Sequence, residues 1–287
     1  MGEADRRQSG PARTWTRRRA IRMAAWAAAA ALLLAGGLYA WRGVFSAGGG
    51  RPAFRHVHGL AVDPYDPARL YVATHDGLWI WRESEGWQGR VGPRIDLMGF
   101  SVGARPGELF SSGHPGPGTR MPNPVGLIRS RDGGRTWDTV SLAGEVDFHA
   151  LAVSPSGPGH RAGAQRVYGF FYGDGLFYRS DDGGRTWVRQ RVDVLAGPDG
   201  QGPLRLVAHP DDPDVLLAAG EQGLLRSTNA GRSWEALLPG PVTAAAFVPS
   251  HPGRILAYVP QRGLVASRDG GRSWQELGRM LGERDAV

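Results

Sequence analysis

Histidine and aspartate recur in this chain in short alternating pairs that could hold a metal ion or move protons. His56 and His58 stand two apart, as do Asp96 and Met98, and again Asp147 and His149. Residues two apart on a strand project from one face, so each pair offers two side chains in the same direction. His75, Asp76 and His114 lie close to glycines in stretches that read as turns. Imidazole with carboxylate suits zinc or another first-row metal, and the Met98 thioether would lean such a site toward copper. The same groups can act as general acids and bases. A plainer role stands beside these, in which the histidines hydrogen-bond neighbouring segments or water. The pairs are far apart in the chain, so a fold must bring them together before any of this chemistry is available.

A repeat supplies that fold. SRDGGRTW occurs at 130–137, SDDGGRTW at 180–187, STNAGRSW at 227–234 and SRDGGRSW at 267–274. All fit S-x-D-x-G-x-x-W. The matching residues are Ser130, Asp132, Gly134 and Trp137; Ser180, Asp182, Gly184 and Trp187; Ser227, Asn229, Gly231 and Trp234; and Ser267, Asp269, Gly271 and Trp274. Asn229 replaces Asp in the third copy. A worn copy ends in Glu85-Gly86-Trp87. The Asp side chain can accept bonds from turn N–H groups, and glycine takes a positive φ that a Cβ would oppose. The Trp then opens a strand and buries its ring. Two strands upstream and a Gly-apolar strand before each turn, such as Gly77-Leu78-Trp79 or Gly263-Leu264-Val265, make units of four strands. Repeats of this length are the signature of propeller blades. The expectation is an all-β propeller over 54–280 with five blades of four antiparallel strands. A sixth or merged blade stays open, because the first unit has lost its turn motif. The last unit ends on its outermost strand, so closure would rest on packing and not on strand exchange.

In a propeller the innermost strands begin at one face of the channel, and the turns between second and third strands open on that face. Aligning His56-Val57-His58-Gly59, Asp96-Leu97-Met98-Gly99 and Asp147-Phe148-His149-Ala150 makes His56, Asp96 and Asp147 equivalent, and likewise His58, Met98 and His149. The later turns add His75 and Asp76, then His114. Blades 4 and 5 depart, with Gly202, Leu204 and the apolar run 242–246. The polar cluster is thus expected on one side of one face, with the insertions 115–124 and 194–203 as rim or lid. His160, His209 and His251, and the Asp66-Pro67 and Asp212-Pro213 pairs, read as structural.

These motifs resemble the Asp-box (BNR-repeat) β-propeller superfamily, which includes sialidases, sortilin-type domains and photosystem II assembly factors. HVHGLAVDP, THDGLW, DLMGFSV, SGHPG, PNPVGLIRSRDGGRTW and GEVDFHALAVS are similar to a bacterial membrane-associated group labelled "glycosylhydrolase". The resemblance covers nearly all of 55–275. It implies that the repeated Asp residues are structural. The group's label implies hydrolysis of a glycosidic bond, for which Asp96 and Asp147 are weak catalytic candidates and Asp76 and Glu145 further ones. A sialidase needs three arginines on its substrate's carboxylate. Arg55-His56-Val57 stands where an Arg-Ile-Pro element belongs, Arg205 is at most one channel arginine, and Arg135, Arg185, Arg232 and Arg272 fall on the opposite face. Sialidase activity is therefore disfavoured. Sortilin-like and assembly-factor propellers imply the reading preferred here, a module that binds a ligand, peptide or protein without chemistry. A metal-handling protein of the cell envelope is the third alternative.

The N-terminus sets the expected location. Seven arginines lie in 1–22 against Glu3 and Asp5, followed by nineteen uncharged residues, 23–41, with Trp26, Tyr39 and Trp41 toward the ends. That length crosses a bilayer, and the arginines hold the N-terminus in the cytoplasm. The expected order is a tail (1–22), a signal-anchor helix (23–41), a Gly-rich tether (42–53), the extracytoplasmic propeller (54–280) and a short tail (281–287). A cleaved signal peptide is the rival, with cuts after Ala40 or Ala47. The formal charge of +7 belongs mostly to this tail, which argues against nucleic-acid binding. With no cysteine, no disulfide forms even outside the cytoplasm. A monomer is expected.

Overall fold

The computed structural model describes residues 54, 56–154, 165–197, 202–249 and 251–278. The expected anchor helix lies outside them. Among the described residues no helix is long and apolar enough to cross a membrane.

Five four-stranded antiparallel sheets follow one another along the chain, each built from consecutive strands. Blade 1 comprises β1(Val57–Asp63), β2(Asp66–Thr74), β3(Gly77–Arg82) and β4(Gly86–Val91). Blade 2 comprises β5(Ile95–Val102), β6(Leu109–Pro115), β7(Leu127–Ser130) and β8(Asp138–Ser141). Blade 3 comprises β9(Phe148–Val153), β10(Val167–Phe171), β11(Leu176–Ser180) and β12(Val188–Arg191), with a short helix α1(Asp193–Ala196) after it. Blade 4 comprises β13(Arg205–Ala208), β14(Leu216–Gly220), β15(Gly223–Ser227) and β16(Glu235–Leu238). Blade 5 comprises β17(Ala244–Val248), β18(His251–Val259), β19(Gly263–Ser267) and β20(Gln275–Gly278). No strand crosses between sheets, so ring closure among the described residues uses packing alone.

The repeated motif is the turn between third and fourth strands, and its bonds explain its residues. Ser130 Oγ accepts from Gly134 N at 2.8 Å and donates to Asp132 Oδ1 at 2.8 Å. Asp132 also accepts from Thr136 N (2.9 Å) and Thr136 Oγ1 (2.6 Å). The turns at Asp182 and Asp269 repeat this network. In the third turn Asn229 keeps the acceptor roles and donates through Nδ2 to Ser233 Oγ at 2.8 Å. Although burial works against it, the bonds from Thr136 and Ser130 hold Asp132 down at about 2, and Thr186 and Ser180 do the same for Asp182. Asp269 is lowered too, by bonds from Ser273 and Ser267.

The motif glycine joins the blades. Gly134 has φ +90°, and a Cβ there would overlap Leu78 of blade 1. Gly184 meets Leu127 of blade 2, Gly231 meets Phe177 of blade 3, and Gly271 meets Leu237 of blade 4. Each turn thus seats on the blade before it. Trp137, Trp187, Trp234 and Trp274 pack into the cores shared by those same pairs of blades. Blade 1 differs: Ser84 stands where the motif glycine belongs, and Gly86, which opens β4, has no atom near where its Cβ would stand. Trp87 packs instead against Phe54, at 4.9 Å between ring centroids, in a cluster drawn from blade 1 and its lead-in.

Two outcomes follow. Gly184→Ala should cost about 2–4 kcal/mol, from positive φ plus overlap, whereas Gly86→Ala should cost only about 1 kcal/mol. Equal losses in thermal or urea melts would refute the seating of the turn glycine. The second concerns pH. The turn carboxylates have folded pKa values below their ordinary 3.8, so their contribution is present above about pH 4 and drains away as pH falls toward 2. The Asp132→Asn/Asp182→Asn/Asp269→Asn variant should show a shallower loss of stability between pH 5 and about pH 2.

Candidate functional site

A cavity of about 770 Å³ runs down the axis, walled by the innermost strands of all five blades. Its middle is apolar, with Leu60, Phe100, Ala150, Leu206 and Ala245 representing the blades in turn. Tyr65, Arg105 and His209 mark one end; His58, His149 and Arg205 mark the other.

A backbone irregularity presents those two histidines. In blade 1 Val57 pairs with Thr74 and Gly59 with Ala73, leaving His58 as the extra residue of a bulge. Leu97 and Gly99 pair with the adjacent residues Gly113 and Ser112, so Met98 is extra in blade 2. Phe148 and Ala150 pair with Phe171 and Phe170, which makes His149 extra in blade 3. Bulges re-aim a side chain where pairing gives way. Blade 4 pairs regularly from Arg205, and the irregularity of β17 falls at Phe247/Val248, the other end of that strand.

Around this mouth the residues form two groups. In the first, His58 Nε2 lies 3.3 Å from His75 Nδ1 and 3.8 Å from Asp96 Oδ1, and His75 Nδ1 lies 2.7 Å from Asp96 Oδ2. His56 joins it at 5.0 Å from His75 between ring centroids, from a backbone with φ +47° that histidine adopts only at a cost. In the second, Asp147 Oδ2 meets His114 Nε2 at 3.0 Å and His149 Nδ1 at 3.5 Å. Asp147 is 5% exposed. Asp96 Oδ1 and Asp147 Oδ1 are both buried without a hydrogen-bond partner.

Burial governs the protonation here. It holds His58 far below its ordinary 6.5, at about 3, with help from the nearby charges of His75, Arg205, His149 and His56. His58 is therefore a neutral imidazole with a lone pair to offer. Asp147 is pushed up by burial and by Asp96, against the pull of His149 and His114. Arg205 is lowered by burial, and Tyr172 opposes that shift. Its guanidinium Nη1 donates to Leu204 O at 2.9 Å.

Met98 occupies its bulge half-buried, and no sulfur belongs to the first group, whose donors are two imidazole nitrogens and a carboxylate. Asp76 N donates to Thr74 Oγ1 within the β2–β3 turn. Glu145 lies away from the mouth, paired with Arg189 of the outermost strand β12 at 3.3 Å. His209 is structural, accepting from Asp211 N and Asp212 N at 3.1 Å. Asp66 does more than punctuate a turn, since it opens β2 and pairs with Arg69 and Arg82.

Two contributors escape a reading that looks only for histidine and carboxylate. Tyr172 stacks on His149 at 4.7 Å, and its hydroxyl donates to Pro203 O at 3.0 Å. It sits in the turn between second and third strands, as His75 does in blade 1, which is the signal that could have found it; His114, expected in the matching turn of blade 2, lies instead on β6, paired with Asp96 of β5. Asn123, beside the cis Asn123–Pro124 bond, bonds His114 Nδ1 through Oδ1 at 2.8 Å.

No family model matches the chain, and no curated protein matches it either. Solved structures do. An ancestral GH74 enzyme aligns with TM-score 0.52 and 16% identity, over 77% of this chain and 31% of that one. The GH74 enzyme of Niastella koreensis aligns with TM-score 0.50 and 18% identity, over 77% of this chain and 38% of that one. YCF48 from Cyanidioschyzon merolae gives TM-score 0.43 and 18% identity, over 64% of this chain and 56% of that one. The likeness is one of fold. The chain spans about a third of the length of the two GH74 structures.

The buried carboxylate gives a direct test of this electrostatic picture. Because burial raises the folded pKa of Asp147, its ionised form opposes folding once pH exceeds the ordinary 3.8. Asp147→Asn should therefore raise the melting temperature at pH 7 and leave it unchanged at pH 3. A variant less stable than wild type at pH 7 would mean that His114 and His149 more than offset the burial.

Proposed function

We propose that this chain is a membrane-anchored Asp-box β-propeller, outside the cytoplasm, that binds a ligand at the histidine end of its channel. The observation that carries this reading is the set of matched bulges in blades 1, 2 and 3. Two of them hold His58 and His149 over an apolar cavity, beside carboxylate oxygens with no partner. A fold has no use for unpaired buried carboxylate oxygens, which cost free energy until a ligand satisfies them. The anchor rests on the arginine-rich tail and the uncharged stretch 23–41. The Asp-box assignment rests on the four matching turns, whose three aspartates and one asparagine bind their own backbone and take no part in the site.

The ligand is either a small molecule or an exposed segment of another envelope protein, seated without covalent chemistry. Hydrolysis of a glycan is the second reading. It is favoured by one specific feature: Asp147 has a raised pKa, as a general acid needs, while Asp96 pairs with His75.

Photo-crosslinking separates these readings. A benzophenone amino acid at position 117, on the loop after His114, should form a specific adduct in membranes of cells carrying the full chain. The same probe at position 105, at the other end of the cavity, should form none. Asp96→Asn/Asp147→Asn should abolish the adduct. Equal adducts at both ends would end the binding proposal, and turnover of a glycan that fails in both single Asn variants would favour the enzyme.

A further inference from the structure

The first group at the channel mouth has a feature that hydrogen bonding leaves unresolved. His58 Nε2, His75 Nδ1 and a carboxylate oxygen of Asp96 lie within 4.8 Å of one another. If His75 Nδ1 carries a proton, it donates to Asp96 Oδ2 at 2.7 Å, and the His58 Nε2 lone pair 3.3 Å away is left without a donor of its own. If His58 Nε2 carries the proton, it can donate to His75 Nδ1 at 3.3 Å, and then the close approach of His75 Nδ1 to Asp96 sets lone pair against lone pair. In either arrangement Asp96 Oδ1 has no hydrogen bond. One proton shared among His58 Nε2, His75 Nδ1 and Asp96 leaves at least one lone pair without a partner, whereas a cation can accept all three.

The spacing fits a small ion. Bonds of about 2.0–2.1 Å in tetrahedral coordination place two nitrogens about 3.3 Å apart. His58 Nε2 and His75 Nδ1 stand 3.3 Å apart, and Asp96 Oδ1 stands 3.8 Å from His58 Nε2; the 2.7 Å contact of His75 Nδ1 with Asp96 Oδ2 is a hydrogen bond that must open by about 0.6 Å for both to ligate one ion. Each ligand comes from a different place: the bulge of β1, the β2–β3 turn and the start of β5. Blades 1 and 2 are locked together by a shared core through Leu78, Ile95 and Leu97, so the three donors are held by rigid elements.

We propose that His58, His75 and Asp96 form a binding site for a divalent first-row metal ion of the zinc type. This rests on the reading of the histidine end as the functional face, and deepens it. Three protein ligands leave a four-coordinate ion one position for water or for a donor atom of the bound ligand. Two imidazoles with a carboxylate and no thioether favour zinc(II) over copper(I). Asp147 is not among the three ligands and is held by His114 and His149 instead.

The test uses the full chain in detergent, without a polyhistidine tag, stripped with chelator and titrated with zinc chloride alone by calorimetry and elemental analysis. The expected result is one zinc per chain. Asp96→Asn and His58→Ala/His75→Ala should weaken it at least about 100-fold, more than loss of an outer hydrogen-bond partner does. His149→Ala should keep it. No uptake by the wild type overturns the proposal, as does undiminished binding in an Asp96→Asn variant that melts like the wild type. If the double alanine variant fails to fold, Asp96→Asn alone decides. The titration involves no partner, so its failure leaves the crosslinking result standing, and an absent crosslink leaves the zinc result standing.

Discussion

The molecule depends on one repeated contact: a turn glycine at positive φ pressed against a large apolar side chain of the blade before it. No other residue type allows both the backbone conformation and the close approach. The rest of the motif serves that contact. Serine and aspartate tie the turn to itself, so the glycine arrives in a fixed place, and the tryptophan fills the space beside it. Because each turn reaches backward, five blades in a row need the device at four seams. A fifth use would set blade 1 against blade 5, and there the motif has decayed to Glu83-Ser84-Glu85-Gly86-Trp87, with Ser84 three residues before the tryptophan where the glycine belongs. The decay is therefore explained by geometry: the one turn without its serine and aspartate is the one that lacks a preceding blade in the chain. Consistent with this, the apolar clusters of blade 1 and blade 5 at that seam are separate.

A rigid ring frees its mouth to be irregular. Bulges forfeit ladder hydrogen bonds and add local twist, and a single sheet would be weakened by one at the head of its innermost strand. Here three neighbouring blades carry one at the same height. Their cost is met by the inter-blade cores immediately below, where Leu97, Phe148 and Leu151 are buried. Gly59 and Gly99 let the next blade come close directly after the bulge, where a Cβ would meet Phe100 or the Phe148 carbonyl. The polar site is thus built directly on buried inter-blade cores, which is what holding imidazole and carboxylate donors to fractions of an ångström requires.

Much of this was legible in the sequence because the motif is local. Four turns with the same serine, glycine and tryptophan, and aspartate in all but the third, fix the hairpins, and their spacing gives the blades. Blade count needed the structure, since a fifth unit without its motif is visible only as paired strands. The alignment of His58, Met98 and His149 could also be drawn from sequence, because each precedes a small residue at the same offset from an acidic or basic partner. The bulges could not. A period-two pattern assumes unbroken alternation, and an extra residue is invisible unless the partner strand's register is known. Glu145 shows the limit most clearly. Two residues from Asp147, it shares that face on a period-two reading, yet it lies ahead of β9, where no strand geometry holds, and its side chain goes out to Arg189. Tyr172 shows the converse, because its stacking on His149 follows from a turn position and not from its residue type.

The two carboxylates at the mouth have been placed in opposite circumstances. Asp96 sits between two imidazoles with part of its surface open, whereas Asp147 is almost wholly buried and held by two histidines that share one of its oxygens. Packing alone would favour an amide or an apolar residue at position 147. Burial keeps its charge costly, and the two histidines lower that cost without removing it. Arg205, on the next blade round the mouth, adds a guanidinium for which no carboxylate partner is provided by its own strand. A neutral imidazole, a destabilised carboxylate and a desolvated guanidinium within one channel mouth are three groups whose free energies all improve when a polar ligand arrives. That shared direction, more than any single contact, is the physical ground for the binding proposal made for this end of the propeller.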